Sequence, residues 1–289
     1  MVVRVMVSGL LPYDSGKTWL GASLVRLLLS YGVRVGVYKP VAGHNAWSQY
    51  PTVVESLRRG VLVGEDVVKY ISIVSDIDVE LVNPIDMLLA PPDPLNYLST
   101  SIYRYLDDLE NQFKQIVLAR VSSCLNRSTQ HFIFRDNIEG VAQPLREELE
   151  MLSAKLRAIE GNLGDFIQRL RNSYIEDELM RCLERIEIGR EVTIVESFNN
   201  AIAPFRKMLD GIDILIVVAP GAIAIYRDIE DVVKTVDELV GRYGERGFEA
   251  IHLLSRVKPS TTQYIRPRTG IDVRDESIEQ LAKYVLSNR

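Results

Sequence analysis

Short apolar runs alternate with amphipathic stretches along most of the chain. Val2 to Val7 is a β-branched run typical of a buried strand, and Leu20 to Leu29 repeats leucine at helical spacing before Gly32. Val33 to Tyr38 then predicts a second strand. Further predicted strands are Glu191–Glu196, Asp213–Val218 and Phe248–Leu254, and further predicted helices are Arg227–Tyr243 and Glu276–Leu286. This order predicts an α/β fold with a doubly wound, mostly parallel sheet and a ligand at the C-terminal ends of its strands.

The middle of the chain has a different pattern. Residues 101–190 read mainly as amphipathic helices, so we predict a mainly helical insertion within a single domain that spans residues 1–289. The predicted helices are Ile102–Val121, Leu145–Ile159, Phe166–Arg171 and Glu176–Ile186, with a short strand at His131–Asp136. The role of the insertion stays open between a lid, a homodimer interface and a surface for a protein partner.

Composition narrows the possible partners. The chain has 289 residues, of which 47% are hydrophobic and 25% charged, with a net charge of −5 and no basic block. That balance argues against nucleic acid as a partner. The longest apolar stretch, Ile214 to Tyr226, is too short to span a membrane and contains Pro220-Gly221. Cys124 and Cys182 have no metal-ligand spacing, so we expect reduced thiols in a cytoplasmic protein.

The segment between the first predicted strand and helix has the chemistry of a phosphate-binding loop. Gly16 lets the backbone approach an anion closely, Lys17 adds a positive charge, and Thr18 offers a hydroxyl to Mg²⁺. Six residues separate Gly9 from Gly16, a longer spacing than the usual pattern has. The predicted nucleotide-binding residues here are Asp14, Ser15, Gly16, Lys17, Thr18 and Trp19.

Further motifs add a family resemblance. Val37-Tyr-Lys-Pro-Val-Ala-Gly43 overlaps the second predicted strand, and Val82-Asn-Pro84 and Ala90-Pro-Pro92 lie downstream. Together with the loop, these motifs resemble dethiobiotin synthetase, a P-loop enzyme, and its relatives in the cobyrinic acid synthase group. The resemblance covers the sheet at both ends of the chain and lapses in residues 101–190. It implies a protein that binds ATP and Mg²⁺ and acts on a small molecule.

The resemblance also implies roles for individual residues. Lys39 would lie beside the transferred phosphate, and the alternative is a solvated lysine at a strand end. Asp66, near the start of the predicted helix Glu65–Val74, would help to hold Mg²⁺, a role compatible with stabilising the helix dipole. Substrate recognition would fall to the loop residues His44, Asn45 and Trp47. A lone histidine in a loop is equally typical of an ordinary surface.

The second half of the chain supplies an acidic residue. Glu196 ends a predicted strand near the loop, where a carboxylate coordinates Mg²⁺ or positions water. In the resembling family a glycine-rich turn follows this strand, whereas Ser197-Phe-Asn-Asn200 stands here. Bulkier side chains therefore occupy the place of bare backbone. The remaining predicted substrate residues are Tyr13, Asn199 and Asn200.

The nucleotide base has its own predicted segment. The resembling family embraces the base with a loop after its last core strand, which corresponds here to Ser255, Arg256 and Pro259. An Asn-Lys-x-Asp motif that would select guanine is absent, which favours adenine. Arg266, Arg268 and Arg274 either face the nucleotide or are solvated, and we favour solvation.

Three functions compete on these observations. The first is an ATP-dependent ligase or cyclase that phosphorylates a small carboxylate or carbamate. Its predicted catalytic residues are Lys17, Lys39 and Glu196, and its predicted metal ligands are Thr18, Asp66 and Glu196. The second is a nucleotide-dependent switch that recruits a protein partner through residues 101–190. A partitioning-type ATPase is disfavoured because Leu10 stands where that group has a second lysine. The resemblance makes a homodimer plausible.

Overall fold

The computed structural model describes residues 2–75, 77–98, 101–267, 270–271 and 275–287. The chain divides into two compact units. Unit 1 comprises Met1–Val41, Lys69–Asp78 and Met180–Arg289, and unit 2 comprises Ala42–Val68 and Val79–Leu179. The second unit therefore begins well before residue 101, where sequence analysis places the start of an insertion. Two of the three C-terminal arginines considered above, Arg268 and Arg274, lie outside the described residues.

Both units combine strands with helices, which confirms the α/β class. The strands are β1 (Val3–Gly9), β2 (Val35–Tyr38), β3 (Val41–Asn45), β4 (Ile85–Leu89), β5 (Ile116–Ser123), β6 (Ser128–Ile133), β7 (Ile159–Glu160), β8 (Val192–Glu196), β9 (Ile214–Ala219), β10 (Ala222–Tyr226) and β11 (Thr261–Tyr264). The helices are α1 (Lys17–Ser30), α2 (Pro51–Arg59), α3 (Glu65–Ile71), α4 (Val79–Val82), α5 (Leu95–Leu98), α6 (Ile102–Glu110), α7 (Arg135–Glu139), α8 (Gln143–Lys155), α9 (Leu163–Leu170), α10 (Ser173–Glu187), α11 (Arg206–Leu209), α12 (Ile229–Tyr243), α13 (Ala250–Leu254) and α14 (Glu276–Leu286).

Unit 1 is built on a six-stranded sheet in the order β11-β10-β9-β1-β8-β2. The four strands β9, β1, β8 and β2 run parallel, and β10 and β11 add antiparallel partners at one edge. β8 and β9 are buried along almost their whole length, as continuous apolar strands in a parallel sheet are. Because parallel strands end at the same edge, the residues that follow β1, β2 and β8 are brought to one side of the sheet.

Unit 2 contains a second sheet, in the order β3-β4-β5-β6-β7. β4, β5 and β6 pair antiparallel, and the short β7 pairs parallel with β6. Leu88, Leu118 and Ile133 from three of these strands share one buried apolar cluster with Leu149 and Leu152 of α8. The cluster is the core of this unit, since α8 covers the sheet with its leucines at helical spacing.

Two elements differ from the sequence predictions. The helix predicted over Ile102–Val121 is wrong beyond Glu110, because α6 ends there and β5 begins at Ile116. Long-range pairing of β5 with both β4 and β6 outweighs the helical pattern. The strand predicted over Phe248–Leu254 is also wrong, since a 3-10 turn (Gly244–Phe248) leads into helix α13.

The expectation of reduced cysteines is wrong as well. Cys124 and Cys182 are both buried and both disulfide-bonded. The sequence around the two cysteines carries no signal for disulfide bonding, because the fold and not the sequence pattern decides which thiols are oxidised. Within the ranges that the structure describes, no helix combines the length and the apolar character that crossing a membrane requires.

Candidate functional site

The loop after β1 ends in a glycine with left-handed backbone conformation, at which α1 begins. Gly16 is the N-cap of α1 and has a φ of 88°, a conformation that glycine adopts without steric cost. Gly16 itself makes no side-chain capping hydrogen bond, and the first turn of α1 contains no acidic residue. At α12, by contrast, Asp228 accepts a hydrogen bond from Asp231 N–H. Glycine has no side chain with which to cap the helix, and the dipole of α1 favours an anion at this end.

One serine holds this longer loop together through two hydrogen bonds. The Ser15 hydroxyl donates to the Leu11 carbonyl and accepts from the Leu11 N–H, both at 2.9 Å. Gly9 allows this closure, because a Cβ there would lie 2.7 Å from Ser15 Oγ and 2.9 Å from Lys17 Nζ. Asp14 also has a positive φ, at 52°. The loop thus folds back tightly over the end of β1.

Three side chains from three elements converge on Glu196 at the end of β8. Thr18 Oγ1, in the first turn of α1, donates to Glu196 Oε1 at 2.9 Å. Lys39 Nζ, directly after β2, donates to the same oxygen at 2.8 Å and to the Ser197 carbonyl at 2.8 Å. Tyr70 in α3 donates its hydroxyl to Glu196 Oε2 at 2.8 Å. The carboxylate is completely buried, and both of its oxygens are hydrogen-bonded.

Burial gives this cluster its electrostatic character. Lys39 is 3% exposed and Glu196 is 0% exposed, so one buried cation balances one buried carboxylate. Removing either partner alone would leave an uncompensated buried charge, which is strongly unfavourable. The two groups therefore hold each other in place.

Lys17 reaches the neighbouring turn instead of the carboxylate. Its Nζ donates to the Asn199 carbonyl at 2.8 Å. Asn199 has a φ of 46°, in the left-handed region that asparagine tolerates better than most residues. The Ser197-Phe-Asn-Asn200 turn therefore contains a backbone conformation typical of glycine although it contains no glycine.

The donor set around Thr18 fits a magnesium ion. Mg²⁺ prefers oxygen ligands, keeps several waters, and is usually held by one or two carboxylates together with substrate phosphates. Thr18 and Glu196 provide a hydroxyl and a carboxylate that already lie within 2.9 Å of each other. Across the described ranges, no group of three or more His, Cys, Asp or Glu side chains could hold a metal. The site therefore suits an ion that takes its remaining ligands from phosphate and water.

The other predicted nucleotide and metal residues lie on several elements. Trp19 is partly exposed in α1, with Lys69 Nζ 4.8 Å from its ring centroid. Asp66 lies in the first turn of α3 and belongs to unit 2. Ser255 and Arg256 are exposed and follow a helix, so the strand that supported their predicted role is missing. Arg266 is exposed, as the solvated alternative requires.

The predicted substrate residues also divide between the units. Tyr13, Asn199 and Asn200 belong to unit 1, whereas His44, Asn45 and Trp47 belong to unit 2. Trp47 is 71% exposed. Asn45 Oδ1 accepts from the backbone N–H groups of Trp47 and Ser48, which closes the turn after β3. His44 is a buried residue of β3, so the description of it as a loop residue is wrong.

His44 belongs to a buried row of ionisable side chains that crosses the sheet of unit 2. Its Nε2 lies 3.5 Å from Asp86 Oδ2 in β4. Asp86 pairs in register with Arg120 of β5, and Arg120 pairs in register with His131 of β6. Directly opposite residues lie on the same face of a sheet, so the four side chains share one face. We call these four residues the unit 2 row.

The row perturbs the protonation of its members. Burial alone would raise the pKa of Asp86, but His44 and Arg120 together hold it below its ordinary value. Burial, with the nearby Arg120 charge, lowers the pKa of His131 to about 4. His131 Nε2 accepts a hydrogen bond from Leu62 N–H at 3.2 Å, which requires the neutral ring. Near neutral pH the row thus contains an ionised aspartate, a permanent arginine cation and a neutral His131.

Sequence analysis missed Tyr70. The residue lies within a predicted helix and carries no motif, so only its packing reveals a contact with Glu196. One indirect signal was present, because Gly21 interrupts the leucine-rich helix α1 at a position where alanine would be more stable. An interior glycine of this kind marks a place where another group approaches the helix closely.

Comparisons with protein-family models and with curated proteins found no match for this chain.

Proposed function

We propose that this protein is a Mg²⁺-dependent P-loop ATPase that phosphorylates a small carboxylate or carbamate, like the dethiobiotin-synthetase group that its motifs resemble. One observation carries the proposal: the hydroxyl of Thr18 and the ammonium of Lys39 meet on the single carboxylate of Glu196. These residues come from three separate parts of the chain. A hydroxyl, a cation and a carboxylate at one edge of a parallel sheet are the groups that phosphoryl transfer needs.

The order of the strands supports the same proposal. β1 lies between β8 and β9, and Val7 near the end of β1 is in register with Glu196. The carboxylate therefore emerges beside the loop that leads to Lys17. In nucleotide-binding α/β sheets, an acidic residue at the end of the neighbouring strand coordinates Mg²⁺ or orients the attacking group.

Each residue has a separable task in this chemistry. The N–H groups that open α1, together with Lys17, neutralise phosphate charge. Thr18 and Glu196 would hold Mg²⁺, which withdraws charge from the phosphate oxygens when it is bound. Lys39 is kept at the strand end by Glu196 and the Ser197 carbonyl, where it stabilises charge on the phosphoryl group in transit. The role of Asp66 and the choice of adenine stay predictions.

A direct test measures binding and turnover in one pair of variants. Calorimetry of the wild type with a non-hydrolysable ATP analogue and Mg²⁺ should register binding, and a GTP analogue should bind more weakly. Lys17→Ala should lower turnover by about a hundredfold or more, as expected for loss of a charge-stabilising group. Lys283→Ala, which removes an exposed lysine of α14, is the matched control. Absence of binding heat in the wild type at millimolar concentrations would refute the proposal.

A second function has one observation in its favour. Helix α6 has no buried residue, although it carries Ile102, Tyr103 and Leu106, which are 46%, 77% and 54% exposed. Exposed apolar patches of this kind mark surfaces that bind other proteins. A switch that recruits a partner through α6 would release ADP and phosphate without modifying a small molecule. Product analysis therefore separates it from a ligase, and sedimentation tests whether a homodimer covers the same face.

A further inference from the structure

Tyr70 is the one donor to Glu196 that the proposed phosphoryl transfer does not use. Its side chain is 1% exposed, and its hydroxyl donates to Glu196 Oε2 at 2.8 Å. Thr18 and Lys39 both donate to the other oxygen, Oε1. The three donors thus divide between the two oxygens of the carboxylate, with the tyrosine alone on one side among the contacts described here.

The division matters because a carboxylate can rotate about its last carbon–carbon bond. With a donor on Oε2, rotation breaks a hydrogen bond in a buried place where water cannot replace it. Without that donor, Oε2 would be a buried acceptor with no hydrogen bond, and rotation of the carboxylate would no longer break a bond on that side. The Tyr70 hydroxyl therefore adds to Thr18 and Lys39 a third hydrogen bond that resists rotation of the carboxylate.

Helix α1 has a matching space for this hydroxyl. A Cβ built on Gly21 would overlap the Tyr70 oxygen, whereas the ring carbon Cζ would lie 3.5 Å away, an ordinary contact distance. The next nearest atom, Ile194 Cγ2, would lie 3.7 Å away. Glycine inside a helix is less stable than alanine, so the chain accepts a weaker helix where the tyrosine hydroxyl needs room.

We propose that Tyr70 is a positioning residue that fixes the Glu196 carboxylate for Mg²⁺·nucleotide, and that Gly21 provides the space for its hydroxyl. The inference rests on the proposed function of the Glu196 site. It adds to the site a residue of α3 that lies outside the loop between β1 and α1. Tyr70 acts through Glu196 and touches neither the nucleotide nor the metal in this assignment.

The experiment compares nucleotide binding with and without the metal. For wild type and Tyr70→Phe, calorimetry gives the affinity of a non-hydrolysable ATP analogue in excess Mg²⁺ and in excess EDTA. We expect Tyr70→Phe to retain the EDTA affinity within about twofold and to lose about tenfold of the gain that Mg²⁺ brings, the size of a hydrogen bond to a charged group. Turnover should show a matching fall in kcat with KM nearly unchanged.

Tyr226→Phe is the matched control for a buried tyrosine hydroxyl. Tyr226 is also 1% exposed, but its hydroxyl donates to the Val257 carbonyl at 3.3 Å and not to Glu196. This variant should keep the wild-type gain from Mg²⁺. If the wild type binds the analogue and Tyr70→Phe shows the full Mg²⁺ gain, the positioning role is wrong while the proposed function stands. If the wild type itself shows no binding, the proposed function fails first.

Gly21→Ala, alone and combined with Tyr70→Phe in a double variant, tests the role of Gly21. Gly21→Ala puts a methyl group where the hydroxyl lies, so it should displace Tyr70 and reduce the Mg²⁺ gain as Tyr70→Phe does. In the double variant the methyl group fills the space that the missing hydroxyl leaves. Its Mg²⁺ gain should therefore equal that of Tyr70→Phe alone, since two changes to one contact are not additive. Losses that multiply in the double variant would overturn the shared-space assignment.

Discussion

The two units each bury a carboxylate beside a cation, but they do so with different chemistry. Glu196 in unit 1 accepts a hydrogen bond from Lys39 Nζ at 2.8 Å, and both side chains are buried. Asp86 in unit 2 faces Arg120 in register on the next strand, and arginine keeps its charge under all ordinary conditions. The lysine cluster also receives Thr18 from a helix start, whereas the unit 2 row runs across strands only. The comparison indicates that unit 1 places a hydrogen-bonded ion pair beside the loop that begins α1, whereas unit 2 buries charged side chains along the strands of a sheet.

The same carboxylate-to-amide substitution in the two units tests this difference most directly. Glu196→Gln keeps the shape of the side chain but removes the charge that faces Thr18 and Lys39. Turnover should fall by about a hundredfold to a thousandfold, as for loss of one preorganised electrostatic group. Steady-state ATP hydrolysis, corrected for the folded fraction, measures the effect. A variant with turnover close to the wild type would remove Glu196 from the reaction.

Asp86→Asn is the companion variant and should affect stability instead of turnover. It leaves the buried Arg120 cation without its charged neighbour, and arginine cannot neutralise itself. The free energy of unfolding should fall by about 3 kcal/mol, as when a buried charge loses the opposite charge near it. Urea denaturation measures the loss. Turnover per folded molecule should stay within about twofold, and a hundredfold loss would contradict the structural role of the row.

The pH dependence of stability sharpens the description of the row. Because burial and Arg120 lower the pKa of His131 to about 4 in the folded protein, the unfolded chain takes up a proton first, near the ordinary pKa of about 6.5. His131 therefore opposes folding increasingly as pH falls from about 6.5 toward 4, by about 2 kcal/mol at pH 5. His131→Gln, whose amide oxygen can accept from Leu62 N–H, should remove this part of the pH dependence.

Unfolding free energies at about pH 7.5 and about pH 5 check the prediction as a difference between wild type and variant. His252→Gln is the control, since His252 is only partly buried and stacks on Tyr243 outside the row. The gap between wild type and His131→Gln should change by about 2 kcal/mol between the two conditions. An equal change for both histidine variants would mean that the slope does not arise in the row.

The smallest expected effect concerns the turn that holds Lys17. Asn199 is left-handed, with a φ of 46°, so Asn199→Ala should cost about 1 kcal/mol while Asn199→Gly should cost almost nothing. Asn200 has a φ outside the left-handed region and should show the reverse order, with glycine the worse residue. Thermal unfolding of the four variants tests the difference. The same order at both positions would show that the backbone of Asn199 is not strained.

Several helices and strands could be predicted from the sequence. β1, α1, β8, α12 and α14 follow from residue pattern alone, because β-branched runs and helical leucine spacing are local properties. The meeting of Thr18, Lys39 and Glu196 could be expected from the sequence, since each follows or ends a strand of a parallel sheet whose strand ends share one edge.

Only the tertiary structure decided the rest, because the deciding interactions join residues far apart in the chain. Residues 116–121 become a strand through pairing with β4 and β6, against their helical pattern. The roles of Tyr70 and Gly21 are visible only in the fold, where the Tyr70 side chain lies against the Gly21 backbone beside Glu196. Local periodicity determines which segments form helices and strands, whereas packing determines which residues of those segments contact each other.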